Sequence, residues 1–366
     1  MGKQTLDQQE LLRYQRQLPV IGLEGQRQLK AAKVLCVGGG GLGCPALQYL
    51  AAAGVGTLAV IDGDMIELSN LHRQILFQTA DLGRNKAEVI AERLTLLNPH
   101  ITVHPYAVFL SEDNATSCID AYDLILDATD NYEARYLINA VCRRLKKPLI
   151  SASIYQFDAQ LSVFNYKNGP CYQCLYPEPP LAALAPNCAA VGVLGVLPGV
   201  TGILQASEAI KVLLELGDIL SGVLLSIDVL SMQFRRFEIP KQGCASHPPV
   251  QKQVTVCQEK AVSTMNAKTL SEWMKTDPNA VQLIDVREPF EWAICHIGGD
   301  LIPLSTLETQ LMRLQKDKVT VVYCKSGFRS AHACQLLLDA GFSRVANLEG
   351  GIIGWIETVD GSLSRY

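Results

Sequence analysis

The run 33–38 (KVLCVG) enters a glycine cluster, Gly38 to Gly41, and is followed by PALQYLAAAG, whose apolar residues recur at helical spacing. A strand that turns through a glycine loop straight into a helix is a narrow constraint. It brings backbone N–H groups close to whatever lies above the turn, with a helix N-terminus aimed the same way, an arrangement suited to phosphate. Gly38-x-Gly40-x-x-Gly43 has that spacing, with Gly41 inside it, and Asp62 lies 19 residues past Gly43 at the end of TLAVIDGD, two residues before Asp64. A carboxylate there can accept hydrogen bonds from ribose hydroxyls. By itself this says nucleotide, and a nicotinamide-dependent oxidoreductase is the first competing reading.

The alternation continues. A helix is expected over Lys86–Leu97, then ITVHPYAV, then YDLILDATD as a buried strand ending in carboxylates, a further helix, and the strand PLISASI. Strands alternating with helices predict right-handed βαβ units and a mostly parallel, Rossmann-like α/β sheet. LSVFNY reads as a sheet extension, residues 167–190 as loop and 200–216 as a helix. Pro240 to Asn266 shows little periodicity, so the first domain is expected over residues 1–248, with a linker over 249–265. The pattern then restarts with VQLIDVR, TVVYC, AHACQLLLDAG and RVANLEGG. These predict a smaller α/β domain over residues 266–366, about 100 residues and an ordinary domain size. A chain of 366 residues is long for one core, as two domains require.

A net charge of −4 gives no general attraction to nucleic acid or anionic membrane. The start, MGKQTLDQQELLRYQRQ, lacks an apolar signal core, and the 12 cysteines are scattered, so reduced thiols and a cytoplasmic location are expected. Cys188–Ala206 carries no charge, but Pro198 would break a helix at mid-span, so a buried, glycine-rich helix is expected and not a membrane span.

More residues separate the nucleotide readings. Ser69-Asn70-Leu71-His72-Arg73-Gln74 is followed by Arg84-Asn85-Lys86 at a helix start and Asp127-Ala128-Thr129-Asp130-Asn131 at a strand end. Basic and acidic side chains converging on one sheet edge suit a triphosphate with magnesium better than a single pyrophosphate. With Arg13-Tyr14-x-Arg16-Gln17 ahead of the glycine loop, this ordered set resembles the adenylating domain shared by MoeB, ThiF and the ubiquitin-activating enzymes, over about residues 8–248. The resemblance implies that Gly41 contacts phosphate, Asp62 ribose, Asn70, Arg73 and Lys86 the triphosphate and Asp130 magnesium. It also implies a homodimer in which Arg16 reaches the partner's site. From the residues alone, Arg13 and Arg16 read as a solvated helix face and His72 as a structural histidine.

Cys171-x-x-Cys174 has the spacing at which two thiolates share one zinc. The family has a second Cys-x-x-Cys, and the matching segment here is Cys244-Ala-Ser-His247. Either His247 completes a Cys₃His structural zinc site or the second half has decayed. Cys188 corresponds to a family cysteine that bonds the carrier; as a residue type it reads equally as a small buried hydrophobe. Cys36, Cys44, Cys118, Cys142 and Cys334 are expected to be packing residues, and Cys257 and Cys295 are unassigned.

Cys324 differs from all of these. It ends the strand TVVYC and opens the six-residue loop Cys324-Lys-Ser-Gly-Phe-Arg329 that runs into a helix. Inward N–H groups, a helix N-terminus and flanking Lys325 and Arg329 are expected to stabilise a thiolate or a persulfide anion. With Asp285-Val-Arg287-Glu288 and Gly-Gly-Ile-x-x-Trp355, this segment resembles a rhodanese domain over about residues 266–362.

The fusion implies ATP-dependent adenylation of the C-terminal glycine of a small ubiquitin-like sulfur carrier of the MoaD or ThiS type. Transfer of sulfur from a Cys324 persulfide, loaded by a donor such as a cysteine desulfurase, then follows. Molybdopterin, thiamine, tRNA-thiolation and cysteine-forming carriers share such tails. The alternative is a carrier-docking module beside an independent sulfurtransferase.

Overall fold

The computed structural model describes residues 5–179, 192–242, 244, 262–277 and 281–365. The chain divides into two compact units, Met1–Gln251 and Lys252–Tyr366.

The first unit is built on one eight-stranded sheet: β1 (Lys33–Val37), β2 (Thr57–Ile61), β3 (Thr102–Tyr106), β4 (Leu124–Asp127), β5 (Leu149–Tyr155), β6 (Asp158–Phe164), β7 (Val223–Asp228) and β8 (Gln233–Glu238), in the order β3-β2-β1-β4-β5-β6-β7-β8. β3 to β5 in that order are parallel, and β6 to β8 are antiparallel. β1, β2 and β4 are buried on both faces, which is why they read as unbroken apolar runs such as VLCV and LAVI. Pro105 fits within β3 because that strand lies at the sheet edge.

Helices Gly43–Ala53, Lys86–Leu97 and Val196–Leu214 contribute to the core on one face, and Glu112–Asp120 and Tyr132–Leu145 to that on the other. The helix expected at 200–216 starts earlier, at Val196. Pro198 therefore sits in the first turn, where a missing N–H leaves no hydrogen bond unmade, and not at mid-span. This helix is long and apolar enough to cross a membrane by length and hydropathy alone, yet half of its apolar window is buried within the unit. Its small residues explain the close packing: a Cβ on Gly202 would lie 2.3 Å from the Leu42 carbonyl oxygen.

The second unit carries a five-stranded parallel sheet, β11-β10-β12-β13-β9, from β9 (Ser263–Met265), β10 (Val281–Asp285), β11 (Asp300–Leu301), β12 (Val319–Tyr323) and β13 (Val345–Leu348). β9 begins ahead of the expected boundary at 266. Three residues of the anticipated linker pair with β13, a contact too distant in sequence to show as local periodicity. Helices Phe328–Asp339 and Gly351–Thr358 supply Ala333, Cys334, Leu337, Ile352 and Trp355 to its two core clusters.

Candidate active sites

The carboxyl ends of β1, β2 and β4 form the first candidate site. The chain turns at Gly38, where φ is +99° and a Cβ would meet the Ala128 carbonyl oxygen at 2.6 Å, so no side chain is tolerated. Gly39 N–H donates to Asp62 Oδ2 at 2.7 Å and Asp64 N–H to Oδ1 at 2.8 Å. Asp62 thus pins the glycine loop to the end of β2. Burial raises its pKa, although the Lys86 ammonium and these two N–H groups pull it down.

Lys86 opens its helix directly after the cap Asn85, is buried, and donates to Asp64 Oδ2 at 2.8 Å. Asn85 Nδ2 donates to the Asp62 and Asp64 carbonyls, 3.2 Å each, holding this corner together. Arg73 crosses the loop, its Cγ 3.5 Å from where a Cβ of Gly41 would be, and donates to the Ser69 carbonyl at 2.9 Å. Asn70 is buried and accepts from the Glu67 N–H at 3.1 Å, while Ser69 is exposed. Pro198 packs over Gly41 from the far side, its Cβ 3.0 Å from the same Cβ position.

The two carboxylates at the end of β4 separate into a buried one and an exposed one. Asp127 is 1% exposed: Oδ1 accepts from the Thr129 N–H and hydroxyl at 3.1 and 2.6 Å, and Oδ2 from the Ser151 hydroxyl at 2.6 Å. Its oxygens are committed. Asp130 is exposed, so it is the carboxylate that can meet a hard cation such as magnesium. Asn131 caps the helix Tyr132–Leu145 through Ala134 N–H at 2.8 Å. Arg16 is exposed after the helix Gln8–Arg13, and among the described residues it makes no hydrogen bond to this edge.

Sequence reasoning missed two supports. Buried Arg135 donates to the Thr129 carbonyl at 2.7 Å, and buried Gln205 donates to the Asp127 carbonyl at 2.8 Å. The only local signal for Gln205 was an amide inside an apolar helical run.

The thiols sort as follows. Cys36 and Cys44 are fully buried and donate to the Gly38 and Gly39 carbonyls, 3.3 Å each. Burial raises the Cys36 pKa and pushes Cys44 to about 12, so both are packing thiols. Burial likewise raises Cys118 and Cys142, and pushes Cys334 to about 12. Cys171, Cys174 and Cys244 converge: Sγ–Sγ is 3.8 Å for the first pair and 3.2 Å for Cys174–Cys244. Three thiols at such spacing fit three corners of a zinc tetrahedron. His247 and Cys188 lie outside the described residues.

In the second unit Cys324 directly follows β12 and is 1% exposed. Gly327 N–H donates to its Sγ at 3.2 Å and the buried Ser330 hydroxyl at 3.3 Å. Ser330, one residue past the loop, is a partner of the thiol that sequence reasoning missed. The loop's carbonyls face the other way, toward Gly-Gly: Cys324 and Lys325 C=O accept from Ile352 and Ile353 N–H at 2.8 and 3.2 Å. Arg329, expected to stand beside the thiol, instead grips buried Glu291 with both nitrogens, Nη1–Oε2 2.7 Å and Nη2–Oε1 2.6 Å. Below it Arg287 and Asp285, both 0% exposed, form a second fork, Nε to Oδ1 2.9 Å and to Oδ2 3.0 Å.

Comparison with known proteins finds a family for each of the two units. Residues 14–246 match the ThiF family and residues 266–358 the rhodanese-like domain. The chain is 39% identical to a probable adenylyltransferase/sulfurtransferase MoeZ of Mycobacterium tuberculosis, covering 99% of this chain and 97% of that protein. It is 37% identical to the adenylyltransferase and sulfurtransferase MOCS3 of Xenopus laevis, over 100% of this chain and 90% of that one. A sulfur carrier protein adenylyltransferase of Thermus thermophilus is 48% identical over 67% of this chain and 94% of its own. In fold alone, a crystal structure of E. coli MccB with ATP superposes with a TM-score of 0.58 at 24% identity, covering 64% of this chain and 74% of that one. The chain belongs to the ThiF family, as an adenylyltransferase domain followed by a rhodanese-like sulfurtransferase domain.

Proposed function

We propose that the first domain uses ATP to adenylate the C-terminal glycine of a small ubiquitin-like sulfur-carrier protein, and that Cys324 then delivers sulfur to give a thiocarboxylate. The observation that carries this reading is one chain holding both a glycine loop with Asp62, Arg73 and Lys86 at its rim and a thiol in a cradle of N–H and O–H donors.

The carrier's carboxylate is already ionised, so attack on the α-phosphorus needs no general base. The chain contributes orientation and positive charge at Arg73 and Lys86. Asp130 would hold magnesium, which shields the leaving pyrophosphate when bound. Lys86 is held by Asp64 through one N–H, and its ammonium has further donors to offer phosphate. The Cys324 persulfide sulfur then attacks the acyl carbon, AMP leaves with the bonding pair, and an acyl disulfide forms. A second thiol, assigned to Cys188, attacks the Cys324 sulfur, releasing the thiocarboxylate and leaving a Cys188–Cys324 disulfide.

Cys171, Cys174 and Cys244, with His247 as fourth ligand, would bind a structural zinc. We further propose a homodimer in which Arg16 serves the partner's site, a cysteine desulfurase as sulfur donor, and a cytoplasmic location, in keeping with ten free described cysteines.

ATP–pyrophosphate exchange with a panel of carriers ending in Gly-Gly tests the first step. Exchange dependent on one carrier supports the reading and names the pathway; none with any carrier overturns it. Cys324→Ala should keep exchange and lose thiocarboxylate, read by mass spectrometry of the carrier.

A further inference from the structure

The sulfur loop is less cationic than its residues suggest. Of the two arginines near Cys324, Arg287 is forked onto Asp285 and Arg329 onto Glu291, and all but Arg329 are more than nine-tenths buried. In each pair the charges cancel. Among the described residues, Gly327 N–H and Ser330 O–H donate to Sγ, both as dipoles, and Lys325 is the other basic residue of the loop. Such a cradle matches one negative charge. Thiosulfate carries two, and its sulfite leaving group would have to depart past a neutralised guanidinium.

We propose that Glu291 sets the donor specificity of Cys324: by holding Arg329 it excludes dianionic thiosulfate and leaves a site for a hydropersulfide, R–S–SH. This rests on the assignment of Cys324 as the sulfur carrier. The Cys324 thiolate attacks the outer sulfur, a new S–S bond forms, the S–S bond between the donor's inner and outer sulfurs breaks, and RS⁻ leaves with the electron pair. The proton stays on the transferred sulfur, and no oxidant or reductant is consumed. Glu291 is a positioning residue here, acting through Arg329.

The test is sulfur loading of Cys324 in the full-length chain, followed by intact mass, with thiosulfate or the hydropersulfide of 2-mercaptoethanol as donor. Wild type should load faster from the hydropersulfide. Glu291→Gln keeps an acceptor but removes the charge, and should shift the ratio of the two rate constants toward thiosulfate by about fivefold or more. Glu291→Gln with Arg329→Gln should return the ratio to within about twofold of wild type, since the pair's net charge is unchanged. If Glu291→Gln scales both donors alike, or the double variant keeps the altered ratio, the proposal is wrong. Should Glu291→Gln fail to fold, the double variant still decides: a loss of thiosulfate loading alone would mean Arg329 was already binding the anion. Wild type that loads from neither donor would instead overturn the sulfur-carrier assignment itself.

Discussion

Replacing Arg287 by Met should destabilise the second unit and leave the first untouched. Arg287 and Asp285 are both 0% exposed, and the guanidinium also donates to the Cys295 carbonyl at 2.9 Å and lies 5.4 Å from the Tyr323 ring centroid. Methionine fills much of the volume but strands a carboxylate in the core, and removing one partner of a buried pair costs about 3–5 kcal/mol. For a unit of this size that is a fall in Tm of about 10–25 °C. The chain offers a selective probe: its three tryptophans, Trp273, Trp292 and Trp355, all lie in Lys252–Tyr366, so their fluorescence follows this unit alone. The companion Asp285→Leu/Arg287→Met, which removes both charges, should recover most of the loss and melt within about 1–2 kcal/mol of wild type. A loss below about 1 kcal/mol for Arg287→Met, or a double variant as unstable as the single, would refute the view that an uncompensated buried charge sets the cost.

Asp62→Asn should weaken ATP binding about tenfold, by loss of a charge-assisted acceptor, as read by calorimetric titration. Because burial raises the Asp62 pKa, its ionised form is disfavoured by folding; ATP affinity should fall as pH drops through that raised value, and Asp62→Asn should flatten the profile. Gly202→Val should cost about 1–3 kcal/mol and impair nucleotide binding, since its Cβ would press on the Leu42 carbonyl 2.3 Å away; melting with and without ATP checks both. Cys244→Ala should lower bound zinc, measured by elemental analysis, and make the first unit sensitive to chelators at lower temperature.

Local chemistry was largely legible in the sequence. A glycine loop after an apolar strand, a lysine at a helix start and a cysteine opening a loop are short-range patterns, and each lies where its spacing placed it. What escaped were pairings across long stretches of chain. Glu291 is 38 residues from Arg329, and nothing near either one announces that the arginine is already taken. Gln205 is 78 residues from Asp127, and Asp127 and Asp130 look alike until Ser151 and Thr129 are seen to saturate the first. Pro198 was misread because a proline at mid-run and one in a first turn differ only by where the helix starts.

The Gly-Gly turn before Gly351–Thr358 has an effect beyond closure of the fold. By drawing the carbonyls of Cys324 and Lys325 backward, the Ile352 and Ile353 amides fix which way those peptide planes face, so the loop's electropositive side is turned toward sulfur. The polarity of the sulfur site is thus imposed from behind, by a segment that supplies no side chain to it. A chain cut at residue 350 would keep every residue of the loop and lose the constraint that aligns their dipoles. The last helix is in that sense an electrode of the site and not merely its backing.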